Sequence, residues 1–320
     1  MGCGCSTKIA VIFGIVVLAL VITGLLIGPI GSSILHLKVP SFLAGTTPKV
    51  ELPAEGVFHV SSFFTITNTM IASLITLIVL ALVFYFATRK MELIPGGFQN
   101  FAEFVVESLL NFVTGVAGEK KGRIIFPIMA TIFLYVLTNA FMALLPIFGT
   151  IGIYESDGVF VPILRAANTD INLPLAIALV SFCFIEYWGL RALGPLHYSK
   201  NFFDLSPLRD GFVSLFKGKI KPALSGILFG FINIFVGFIE ILSHFIRIVS
   251  FTFRLFGNMT AGEILLLVIT FIVPFAVSVI FYGLEMLVGF VQALIFAGLT
   301  LVFGVISMAS HGEEEPEHSN

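Results

Sequence analysis

Six apolar runs, at about 9–30, 68–88, 124–147, 171–190, 223–273 and 275–309, constrain the fold before any motif is read. Each is near or above the ~20 residues that a helix needs to cross a hydrocarbon core about 30 Å thick. Inside lipid only a helix or a closed barrel satisfies its own backbone donors and acceptors. The chain is therefore expected to be an all-α polytopic membrane protein of about six membrane segments. Only 11% of its 320 residues are charged, less than half the roughly 25% of a soluble domain, so most of the surface faces something other than water. A net charge of −2 offers no field for nucleic acid. Cys3, Cys5 and Cys183 form neither a disulfide framework nor a metal-ligand spacing.

Basic residues choose the orientation. If every run is crossed once, Lys8, Arg89-Lys90, the Lys120-Lys121-Arg123 cluster and the set Arg191, Lys200, Arg209, Lys217, Lys219 and Lys221 fall on one side. An excess of Lys and Arg marks the cytoplasmic loops, so both termini are expected there. The other side receives 31–67 and 148–170, with Glu51, Glu55, Glu155 and Asp157 against Lys38, Lys49 and Arg165. The chain divides accordingly: 1–67, an N-terminal anchor or signal segment with an external loop; 68–123, a transmembrane helix and a cytoplasmic surface helix; 124–222, a transmembrane hairpin and cytoplasmic loop; 223–310, a tilted helical hairpin; and 311–320, an acidic cytoplasmic tail. The first run outlasts the roughly 7–15 apolar residues of a signal peptide, which favours the anchor. Such an anchor makes redundant the lipid that Met1-Gly2 with Ser6 formally invites. Between Gly97 and Gly118, Glu103, Glu107 and Asn111 recur at helical spacing. That helix either lies flat on the surface or packs under the bundle.

The run 223–273 is too long for one upright crossing: as a helix it would reach about 76 Å. No turn cluster divides it, so one tilted helix, bent near Gly230, Gly237 or Gly257, is expected, then a turn at Pro274 and a second helix to about Ser310. Within this hairpin lie Glu240, His244, Arg247, Arg254, Asn258, Glu263, Glu285 and Gln292. Charges at this depth cost roughly 2.5–3.5 kcal/mol each on insertion scales, which makes them functional candidates by default. At ~100° per residue, Glu240, Arg247, Arg254 and Asn258 share one stripe with His244 beside them, whereas Glu263 points about 180° from Arg254. Glu263 and Glu285 stand eleven residues before and after Pro274, hence at similar depth, and Gln292 falls near the level of Asn258.

If the helix leaves the cytoplasm near Lys221, Glu240 lies on the inner side of Arg254 and the two other glutamates on the outer side. A guanidinium cannot lose its proton at accessible pH; it can hold a carboxylate and repel cations without relaying a proton, which is the chemistry of a gate between two half-channels. Plainer alternatives stand beside this. His244 and Arg247 either pair with Glu240 or snorkel. Arg254 either serves as that gate or closes a salt bridge with Glu263 or Glu285. Asn139, Asp170, Asn172 and Glu186 sit near segment ends, where solvated polar residues are ordinary, and for Asp170 and Glu186 that reading is favoured.

The stretch Ser250-Phe-Thr-Phe-Arg-Leu-Phe-Gly-Asn-Met-Thr-Ala-Gly-Glu263 resembles the signature of subunit a of the rotary F-type ATP synthases, the membrane stator that faces a ring of c subunits. The resemblance continues in Val291-Gln-Ala-Leu-Ile-Phe296, Ile94-Pro-Gly-Gly-Phe-Gln99, Thr138-Asn-Ala-Phe-Met-Ala-Leu-Leu-Pro146 and Thr169-Asp-Ile-Asn172, and so covers about 94–310. It implies that Arg254 is the stator arginine that meets the ring carboxylate. It implies an outer inlet through Glu263, Glu285, Asn258, Gln292 and Asn139, and a cytoplasmic outlet at Glu240, with His244 beside it. It further implies the c-ring, the peripheral-stalk b subunits, the rest of the ATP synthase and the lipid bilayer as partners, in an energy-coupling membrane such as the bacterial plasma membrane, with no cofactor. Two positions depart from the pattern: Glu285 stands where some bacterial relatives carry His, and Ala143 where they carry Asp.

No Gly-x-x-x-x-Gly-Lys-Ser/Thr loop is present, and Gly118-Glu-Lys-Lys-Gly122 lacks its spacing. Nor is there a His-Glu-x-x-His or Gly-x-Ser-x-Gly motif. Nucleotide chemistry therefore belongs elsewhere. The rival function is a self-contained secondary transporter or proton channel, in which Glu263, Glu285 and Arg254 form the whole site. An intramembrane hydrolase lacks a nucleophile and base pair.

Overall fold

The structure, a computed structural model, describes residues 3–29, 31, 54–61, 64–92, 94, 96–154, 160–195, 198, 206–217, 220–273 and 276–308. The acidic tail 311–320, Pro274 at the expected turn, and the loop residues Lys38, Lys49, Glu51, Glu155 and Asp157 lie outside them. The helices are α1 (Cys3–Ile27), α2 (Asn68–Thr88), α3 (Gly97–Ala143), α4 (Asn172–Leu193), α5 (Ser206–Phe216), α6 (Ile220–Ile272) and α7 (Ala276–Ser307). Five of them, α2, α3, α4, α6 and α7, are long and apolar enough to cross a membrane, and Val11–Ile27 adds a shorter apolar helix. The fold class is all-α and polytopic. Two short antiparallel hairpins decorate it, β1 (Gly56–Ser61) with β2 (Phe64–Thr67) and β3 (Gly152–Tyr154) with β4 (Phe160–Pro162), in segments that the sequence marks only as loops.

Local chemistry sets the helix limits. The Thr67 hydroxyl accepts the Met70 backbone N–H at 3.3 Å and so caps α2. Helix α3 breaks at Gly118, whose φ of 73° lies in the left-handed region that glycine enters without penalty. The break separates the amphipathic stretch beginning at Gly97 from the apolar one beyond it. Gly194, at φ 77°, ends α4 and returns its N–H to the Leu190 carbonyl. Pro207 sits in the first turn of α5, where its missing N–H costs nothing. Helix α6 runs 53 residues without interruption, with none of the expected bends at Gly230, Gly237 or Gly257 producing a break in the helix.

The chain forms two compact units. The first comprises 1–80, 135–170 and 255–293. Its core includes Ala72, Val136, Ala140, Leu255, Met259 and Ala293. Polar ties hold it together: Ser73 of α2 bonds Tyr135 of α3 at 2.6 Å, and the start of α2 reaches the segment after α3, Thr69 donating to Asp170 at 3.0 Å and the Asn68 amide to the Pro162 carbonyl of β4 at 3.2 Å. A Cβ at Gly289 would stand 2.8 Å from that of Ala140, so α7 and α3 meet closely there. The second unit comprises 81–134, 171–254 and 294–320. Ile125, Met129, Ile185, Phe251, Phe296 and Leu301 fill its core. The Phe251 and Phe296 rings lie 4.8 Å apart, and Ser181 bonds Thr300 at 2.8 Å.

Candidate functional site

Within the first unit, a cavity of about 290 Å³ is lined by the end of α3, the segment through Arg165, and facing stretches of α6 and α7. Glu263 and Glu285 both line it. Their equal distance from Pro274 therefore does bring two carboxylates to one site. Glu285 is 8% exposed, and its carboxyl lies against the α6 backbone: a Cβ at Gly262 would overlap it. Glycine at 262 is thus what lets α7 seat an acid on α6.

Glu263 takes a cation that the sequence places only among the external loop charges. The Arg165 Nε donates to its two carboxylate oxygens at 3.2 and 3.4 Å, and Nη2 reaches one of them at 3.5 Å. The Arg165 side chain is 9% exposed and that of Glu263 30%. A forked guanidinium matches a carboxylate and is more weakly hydrated than an ammonium, which suits it to a site this enclosed. The detectable signal is local. Arg165 stands alone among Val161-Pro-Ile-Leu164 and Ala166-Ala167, and a lone charge in apolar surroundings requires a counter-charge.

Asn139 is buried, 2% exposed, and its amide donates to the Thr76 hydroxyl at 3.2 Å; its Oδ1 has no hydrogen-bond partner among the described residues. Asn258 is exposed and Gln292 half-buried. None of these three lines the cavity. Asp170, expected to be a solvated end, instead accepts a hydrogen bond from Thr69.

A second polar cluster belongs to the other unit. His244 lies between two carboxylates: its Nδ1 is 3.0 Å from Glu186 Oε1 and its Nε2 is 3.4 Å from Glu240 Oε1. The expected pairing of His244 with Glu240 is present, but the closer partner is Glu186, a residue whose position in the sequence favours an ordinary segment end. The Tyr198 hydroxyl donates to the other Glu186 oxygen. Burial, and then the Glu186 carboxylate, push the Tyr198 phenol far above its ordinary value, so it remains an O–H donor at any working pH. Arg247 stacks on the Phe303 ring, 3.7 Å from its centroid, a cation–π contact.

Arg254 is half-buried, 6.0 Å from the Phe251 centroid, and makes no ion pair among the described residues. The Glu263 bridge considered for it belongs to Arg165.

The sequence profile described as ATP synthase A chain matches residues 70–304. The ATP synthase subunit a of Helicobacter hepaticus is 31% identical over 212 residues, covering 65% of this chain and 74% of that protein. The ATP synthase subunit a of Helicobacter pylori strain P12 is 28% identical over 226 residues, covering 70% of this chain and 83% of that one.

Proposed function

This chain belongs to the ATP synthase A chain family, and on that premise we propose that it passes protons to and from the carboxylates of a c-subunit ring through two offset half-channels. It is an integral membrane protein and a component of the membrane sector. In the proposed path the inlet uses Glu263, Glu285, Asn258, Gln292 and Asn139, the outlet uses Glu240 and His244, and Arg254 divides them. A proton from the outer side neutralises a ring carboxylate, rides the ring through lipid, and leaves past Glu240 when Arg254 draws the carboxylate into its charged form. Ring rotation couples this flow to ATP synthesis in a separate head, and peripheral-stalk b subunits keep the stator from turning with the ring. In this reading the Lys- and Arg-rich loops and both termini face the cytoplasm, and the membrane is an energy-coupling one such as the bacterial plasma membrane.

The observation that carries this reading is the position of Arg254 along α6. At ~1.5 Å per residue it follows Glu240 by about 21 Å and precedes Glu263 by about 14 Å. Those two glutamates belong to separate polar clusters, each with its own partners. The Asn139 oxygen, which has no hydrogen-bond partner among the described residues, supports an aqueous inlet, since water satisfies a buried amide.

Proton flux measured in proteoliposomes with and without a c-ring tests the assignment. Flux is expected only when the ring is present. Conduction by the chain alone would instead establish the self-contained transporter. A smaller effect follows from the seat on α6: Gly262→Ala should displace the Glu285 carboxyl and slow ATP-driven proton pumping roughly tenfold or more, as misplacement by about 1 Å commonly does. Unchanged pumping in vesicles with a normal content of the chain would show that the seat is dispensable.

A further inference from the structure

We propose that Glu186, held by Tyr198, is a positioning residue of the proton-release path: it fixes His244 as the relay that takes the proton from Glu240. The inference rests on the release role given above to Glu240 and His244. It adds α4 to a path that the sequence places wholly on the α6–α7 hairpin.

Glu186 lies seven residues before the end of α4. The side chains of Glu186 and His244 are 18% and 13% exposed, whereas that of Glu240 is 48% exposed. An enclosed carboxylate needs polar partners, and Glu186 has one beside each oxygen: the His244 imidazole at one and the Tyr198 hydroxyl at the other. The Phe182 ring meets the imidazole edge to face at 5.7 Å. A carboxylate 3.0 Å from Nδ1 favours by its charge the tautomer with the proton on that nitrogen, which leaves the Nε2 lone pair directed away from it, and Nε2 is 3.4 Å from Glu240.

The transfer balances without any other reactant. The proton leaves the Glu240 carboxylic acid and bonds to His244 Nε2, giving a Glu240 carboxylate and an imidazolium whose charge Glu186 offsets. Loss of that proton to water restores the neutral ring, with Nδ1–H still facing Glu186. The charged and titratable groups around the imidazole among the described residues are Glu186 from α4, Tyr198 from the segment after it, and Glu240 and Arg247 from α6 itself. Arg247 is engaged with Phe303 of α7.

Inverted membrane vesicles carrying the whole ATP synthase, with the soluble head then removed, allow passive proton conduction to be read without nucleotide chemistry. Glu186→Gln keeps the shape and removes the charge. It is expected to slow conduction roughly tenfold, the usual effect of losing a partner that orients a ligating or relaying histidine, and to raise the solvent isotope effect as proton transfer becomes limiting. Glu186→Asp should recover much of the rate, because the carboxylate returns; a merely structural role would make the shorter side chain no better than Gln. Tyr198→Phe, which removes one hydroxyl, should slow conduction and raise the isotope effect in the same sense, and it decides the matter if Glu186→Gln fails to assemble. Wild-type conduction and isotope effect in Glu186→Gln or, failing its assembly, in Tyr198→Phe overturn the inference. Arg254→Ala vesicles that keep the soluble head separate the two levels: normal ATP-driven pumping there overturns the underlying reading, whereas normal conduction in head-stripped Glu186→Gln vesicles alone overturns only the role of Glu186.

Discussion

Replacing Arg254 by Ala should abolish ATP-driven proton pumping and ATP synthesis in membrane vesicles, a loss of about a hundredfold or more, while the head continues to hydrolyse ATP. The size follows from the charge being fixed at all accessible pH: a preorganised charge aimed at a reacting anion is commonly worth a factor of about 10² to 10³. Alanine leaves nothing on α6 to draw the ring carboxylate into its ionised form, and nothing to stop a proton passing straight from one route to the other. Arg254→Lys should fail as well. A compact ammonium lacks the planar fork that can grip a passing carboxylate by two bonds, and on burial it can lose its proton, turning a barrier into a carrier. Quenching of a pH-sensitive dye in inverted vesicles reads pumping, and hydrolysis on the same vesicles reports assembly. Normal pumping in either variant would remove Arg254 from the role of divider.

The parts of this molecule that are legible in the sequence are those that a helix determines alone. The long apolar run 223–273 could only be an extended helix, and α6 spans Ile220–Ile272. Counting residues either side of Pro274 is enough to put Glu263 and Glu285 at one level, and both line one cavity. What cannot be read are contacts between segments distant in the chain. Arg165 lies 98 residues from Glu263, and nothing in the spacing of either announces the other. Glu186 escapes for a different reason: it lies within the apolar run 171–190 and resembles the run's solvated end, although two turns of α4 follow it. A charge so placed warrants the same suspicion as Glu240. The hairpins β1–β2 and β3–β4 are made by strands of three to six residues, too short for alternation to stand out from an ordinary loop.

Removing both inlet carboxylates at once should cost far more than the two single losses combined. Glu263 and Glu285 line one cavity of about 290 Å³, large enough for several waters at ~30 Å³ each. With either acid replaced by Gln, the other still exchanges protons with that water, so each single variant should pump several-fold slower. In Glu263→Gln with Glu285→Gln no carboxylate remains among the residues lining the cavity. The Arg165 cation stays on its wall, 9% exposed, and repels the entering proton. A loss of roughly a hundredfold is expected for the double variant, since general acid–base groups typically contribute about 10² to 10⁴. Groups that can substitute for one another are non-additive in this sense, whereas independent sites add. Pumping rates of the wild type, the two single variants and the double variant complete the cycle. If the double variant merely multiplies the single effects, the two carboxylates act in separate steps; if it pumps at the wild-type rate, the cavity is not on the proton's route.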